Sequence, residues 1–177
     1  MATKRIIATQ KSPALRPRKK SSAVAGKLPP GSPEKQIAGF LAKFAPAIAQ
    51  QIRAARAILA KRFPAATQIV YDNYNFFAIG FSTTARTSDT LFSIAANAKG
   101  LGLHFYWGVK LPDPHQLLQG SGNQNRFLRL PTPDTLHDAK VIALLYDAVA
   151  VARTPLPSTG RGPTLIRRIS AKQRPRR

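Results

Sequence analysis

Apolar positions along this chain change period twice. Ile37, Phe40, Leu41 and Phe44 recur at helical spacing, and Ile48, Ile52, Ala55 and Leu59 do so again. Ser32-Pro33-Glu34 is a helix start, with a capping hydroxyl, proline at the first helical position and an acid near the positive helix end. Pro46 opens a second helix and Pro64 ends it. From residue 67 the period drops to two. Residues 67–72 form a short strand; Phe77, Ile79 and Phe81 then point one way, and Phe76, Ala78 and Gly80 the other. Phe92, Ile94 and Ala96 alternate next. After a turn at 97–100, so do Leu101, Leu103, Phe105 and Trp107, and Arg126–Leu130 supplies a fifth strand. Thr132-Pro133-Asp134 repeats the helix-start chemistry with Thr132 as cap, and Leu136, Ile142, Leu145 and Val149 give a last helix its stripe.

This order predicts an α+β fold: a two-layer sandwich, with an antiparallel sheet of about five strands and N- and C-terminal helices packed on one face. The expected core is Phe40, Phe44, Ile52, Leu59, Phe77, Ile79, Phe92, Ile94, Leu103, Phe105, Leu145 and Val149. The opposite face would carry Phe76, Ala78, Gly80, Leu91, Ser93, Ala95, Gly102, His104 and Tyr106, none with a fixed charge. A water-facing sheet alternates apolar with clearly polar residues. This face therefore expects cover, from a second copy in a homo-oligomer, from the segment around Ile166, or from a ligand. A register shifted by one residue would exchange the two faces.

Charge divides the chain further. Its 177 residues carry a net charge of +21, and +16 of that falls in residues 1–33 and 153–177, which hold no acid. The expected organisation is a disordered basic arm over 1–33, a domain over 34–152 and a basic tail over 153–177. Arg16, Arg18, Lys19 and Lys20 in the arm, and Arg167, Arg168, Lys172, Arg174, Arg176 and Arg177 in the tail, are candidates for contact with nucleic acid or another polyanion. The alternative is that both segments are solvated. Within the tail, Thr164–Ser170 is apolar enough to add an edge strand or dock. Cysteine is absent, which removes disulfides and thiolate chemistry and suits a reducing compartment such as the cytoplasm. No apolar run approaches the ~20 residues of a membrane span, and the N-terminus lacks the apolar stretch of a signal peptide.

Tyr71-Asp72-x-Tyr74-Asn75, Ser88-Asp89, Leu111-Pro-Asp-Pro114, Leu117-Leu118-x-Gly120-x-Gly122 and Arg126 together resemble the YdhG-like family of small bacterial proteins, domain of unknown function 1801. The likeness covers roughly residues 34–150, with a Lys172–Arg177 ending like that of some members. It implies helices on one side of an antiparallel sheet and no accepted enzymatic activity. A distant likeness to frataxin within the wider family implies iron as an alternative cargo. Frataxin-type binding uses clustered carboxylates, because hard cations favour oxygen ligands. Here the first two helices hold one acid, Glu34, among six Lys and Arg.

No phosphate loop or nucleophile elbow is present. Tyr71, Asp72, Tyr74, Asn75, Asp113 and Arg126 are the ligand-binding candidates; hydrogen-bonded structural roles are the alternative. Asp72 or Asp113 would carry general acid–base work if the chain were an enzyme. His104, His115 and Asp113 are the one conceivable metal set, and no cofactor is called for otherwise. The expected function is a non-enzymatic binding or accessory protein whose basic arms associate weakly with polyanions.

Overall fold

The computed structural model describes residues 31–177. The basic arm, with Arg16, Arg18, Lys19 and Lys20, lies outside the described residues apart from its last three. Helix α1 (Pro33–Leu41) starts where Ser32 Oγ accepts from Lys35 N, and α2 (Pro46–Arg62) starts at its own proline. Five strands follow: β1 (Thr67–Asp72), β2 (Phe77–Ser82), β3 (Thr90–Asn97), β4 (Gly100–Phe105) and β5 (Arg126–Leu130). Each pairs antiparallel with the next. Helix α3 (Ala139–Ala150) then leads to β6 (Thr164–Ile169). The sheet is open and mixed, in the order β5-β4-β3-β2-β1-β6, with β6 parallel to β1.

The alternation sorts the side chains as expected. Ile79, Ile94, Leu103 and Leu128 align across four strands, and Phe81, Phe92 and Phe105 across three. All join Phe40, Phe44, Ile52, Leu59 and Leu145 in one buried cluster. Each large apolar side chain fully withdrawn from water contributes about 1.5–3 kcal/mol.

Three expectations are corrected. Leu91 is not on the open face. A register shift between Phe81 and Ser82 lets Thr90 pair with Ser82. Thr90 then lays its methyl against Gly80, and Leu91 joins the core. Thr132 caps no α-helix through its side chain. Residues Pro133–His137 make a 3-10 turn, and Asp138 caps α3 by accepting from Lys140 N at 2.8 Å. Restarting the helix there rotates its stripe, so Val141, Leu144, Leu145 and Ala148 are buried and Val149 is only partly so. Finally, the sheet has six strands and not five: Thr164–Ile169 adds the edge strand that its apolar pattern allowed, and it pairs parallel. Part of 153–177, expected as a tail, belongs to the sheet.

Two contacts seat β6. The Arg56 guanidinium forks onto Glu34 at 2.6 Å twice, and also reaches Gln68 Oε1 at 2.7 Å and Thr164 Oγ1 at 3.4 Å. It thereby joins both N-terminal helices to β1 and β6. Before the strand, Gly162 N donates to Pro64 O at 2.9 Å, and the backbones pass so closely that a Cβ on Gly162 would lie 2.2 Å from Ala66 O. Gly162→Ala is therefore expected to lower stability by about 1–3 kcal/mol through forced backbone displacement. A shifted urea midpoint, with early proteolysis within 160–177, would be the measured signs.

Candidate binding surface

Asp72 ends β1 with its side chain fully buried. A carboxylate there is tolerable only if its charge and lone pairs are matched. Lys43 Nζ and Gln173 Nε2 each donate to Oδ2 at 2.6 Å, and Arg176 Nη1 donates to Oδ1 at 2.5 Å. Arg176 is itself 4 % exposed, lies over the Phe44 ring and donates its other Nη to Asn73 O at 2.7 Å. Ser170 N donates to Asp72 O, and Arg174 N to Tyr74 O. Arg177 reaches Ala42 O at the end of α1, where a cation suits exposed carbonyls. The last residues thus close the junction between α1, α2 and the β1–β2 turn. Asp72 has both oxygens engaged and no solvent contact, a poor arrangement for general-base work. Arg176, expected to meet polyanions, is consumed by the domain.

The other candidates do not converge. Tyr71 donates to or accepts from Thr87 at 2.6 Å. Tyr74 and Asn75 occupy the turn closed by Asn73 N to Phe76 O, and the Arg174 guanidinium lies 5.7 Å from the Tyr74 ring. Asp113 accepts from Leu117 N and Leu118 N at 2.9 and 2.8 Å, which makes it a loop-forming residue. Arg126 donates to Gly122 O and Asn125 O. Arg167 donates to Ala85 O. Among the described residues no three His, Asp or Glu side chains gather as a metal site, so His104, Asp113 and His115 stay apart. Nor is any described helix long and apolar enough to cross a membrane.

The roomy concavity lies on the sheet face turned away from the core. A trough of about 890 Å³ runs over Ala78, Ala95 and Gly102 and wraps round the β3–β4 turn to Ile48 and Gln51 of α2. Phe76, 39 % exposed, borders it, as do His104 and Phe127. The His104 and Phe127 rings stack with centroids 5.2 Å apart and planes 18° apart. Lys99 and Arg129 are its charged residues, and no carboxylate lines it. Tyr106 does not line it and packs edge-on against Trp107. A second hollow, about 20 Å³ beside Asp89 and the end of α3, has room for little more than a water.

Phe76 and His104 were legible as open-face residues. Phe127, Arg129 and Lys99 are additions from the structure. The signal for the first two was present, since Phe127 and Arg129 alternate with Leu128 and Leu130. Gly102 explains the pose of His104, because a Cβ there would meet the imidazole Nε2 at 3.1 Å.

Burial pushes the His104 imidazole below its ordinary value of 6.5, and a hydrogen bond with Asn125 offsets this in part. The folded chain thus favours neutral His104, while the unfolded chain takes up the proton from pH 6.5 downward. Stability from this group is complete above that pH and falls as pH drops toward the lower folded value. Urea midpoints at pH 7.5 and 5.5 should differ more for the native chain than for His104→Gln. Glu34, held below its ordinary 4.5 by the Arg56 hydrogen bonds against an opposing burial effect, acts in a separate and more acidic window. Asp72→Ala leaves Arg176 buried without its counter-ion and should cost about 3–5 kcal/mol. Replacing Arg176 by Met together with Asp72→Asn should recover part of that loss in the same denaturation experiment. No protein-family model, no curated protein and no solved structure matches this chain.

Proposed function

We propose that the protein is a non-enzymatic binding protein for polyanions. The trough is the contact surface, and the basic N-terminal arm adds long-range attraction. On this reading the helices form one layer, the sheet forms the other, and the sheet's far face is left to the ligand. The carrying observation is that a concavity of about 890 Å³ holds Lys99 and Arg129 and no carboxylate, in a chain of net charge +21. The engagement of Asp72 and Asp113 in structural hydrogen bonds supports a binding role over a catalytic one. The YdhG-like resemblance implies no accepted activity, and the cysteine-free sequence suits a cytoplasmic setting; both are compatible with this reading. The C-terminal cations are a lesser part of the contact, because Arg176 is buried and Arg177 and Arg167 bond backbone carbonyls.

Heparin binding to the full chain, followed by calorimetry at several salt concentrations, tests the proposal. Affinity should fall steeply with salt, and Lys99→Glu with Arg129→Glu should weaken it by about tenfold or more at low salt. Salt-independent binding, or none, would sink the proposal.

A further inference from the structure

The trough has features that a generic anion would not need. Its charge is sparse, with one cation at the β3–β4 turn and one on β5. Duplex recognition usually rests on several phosphate contacts. Its floor is bare: Ala78, Ala95 and Gly102 sit side by side on β2, β3 and β4, and none carries an atom beyond Cβ. The His104 imidazole already lies over Gly102 and Ala78 is buried, so the part of this floor open to a flat ring is at Ala95. Aromatic rings stand at both ends of it. Phe76 is exposed beside β2, and the His104–Phe127 pair lies two residues further along the strands, on β4 and β5.

The second platform is preorganised. Gln119 exchanges both backbone hydrogen bonds with Phe127, at 2.7 and 3.0 Å, and so covers that part of the β5 edge. The His104 ring is seated over Gly102 and held by Asn125. Rings fixed before binding lose little side-chain freedom on stacking. Strand rise and spacing place Phe76 and Phe127 about 20 Å apart along the diagonal, a span suited to a few nucleotides. Ser93 and Asn97 add donors and acceptors between them.

We infer that the trough is a site for single-stranded nucleic acid: unpaired bases stack on Phe76 and on the His104–Phe127 pair, while Lys99 and Arg129 hold phosphates. The inference rests on the polyanion reading and narrows it. Aromatic platforms beside a thin line of cations are the means by which single strands are held with little sequence preference. A duplex hides its base faces and would gain nothing from either platform.

The test uses the full chain with fluorescein-labelled dT12 and U12, a 12-base-pair duplex and heparin, read by anisotropy and competition. Both single strands should bind more tightly than the duplex. Phe76→Ala removes a ring outside the buried core, and a urea midpoint close to the native one confirms that the variant is folded. It should weaken dT12 and U12 by about 5- to 150-fold, the equivalent of one base stack, and heparin far less. Arg129→Ser should reduce the salt slope for dT12 by about 0.7. Tight binding of duplex and heparin with no effect of Phe76→Ala would overturn the single-strand site and spare the polyanion reading. Failure of every polyanion to bind would overturn both. A dimer in light scattering that Phe76→Ala dissociates, with no dT12 binding, would assign the face to a second copy and overturn the inference as well.

Discussion

One buried carboxylate governs how this fold is closed. Asp72 stands where β1 ends, in a place with no water to solvate it, and draws one donor from the α1–α2 junction and two from the last five residues. Arg176 suits the position because its planar fork can bond a carboxylate and a carbonyl together while its face rests on Phe44. Such a network adds little over a well-packed apolar one, but half of it is worse than none. Few other segments could bring a cation, an amide and a suitable backbone to the same point.

Among the described residues, that closure leaves part of the far face of the sheet open. β6 and the C-terminal residues occupy the β1 end, and the loop after β2 covers part of the same region through Tyr71–Thr87 and Arg167–Ala85. Among the described residues the β3–β5 half has no such cover, and it is there that the small residues and stacked rings lie. The face expected to lack fixed charge in fact carries Arg129 beside Gly102, so it shares in the basic composition. Charge at the rim brings a polyanion near, and the bare floor decides what can settle.

Local signals carried much of the fold. Ser32, Pro33, Pro46 and Pro64 bounded the helices because capping and ring geometry act within a few residues. Period two assigned Phe77, Ile79 and Phe81 to one face because strand pleating permits nothing else. What depended on remote partners was hidden. Nothing near Asp72 announces a partner 104 residues later, and a polar aspartate at a strand end reads equally as a site or a turn residue. The Thr90–Leu91 exchange depends on a bulge opposite Ser82, which alternation alone does not reveal. Arg129 reads as a solvated surface charge until the register places it beside Gly102.

The parallel pairing of β1 with β6 has a further consequence, for the order in which the molecule assembles. It joins Asp72 to Ile169 across a loop of about a hundred residues, whose closure entropy exceeds that of any hairpin in the sheet. An intermediate with the five-stranded meander formed and β6 absent would hold the Asp72 carboxylate without Arg176 and Gln173. Such a species leaves the carboxylate to Lys43 and to water, so its burial waits on the C-terminal residues. Docking of β6 and burial of Asp72 are thereby coupled to each other.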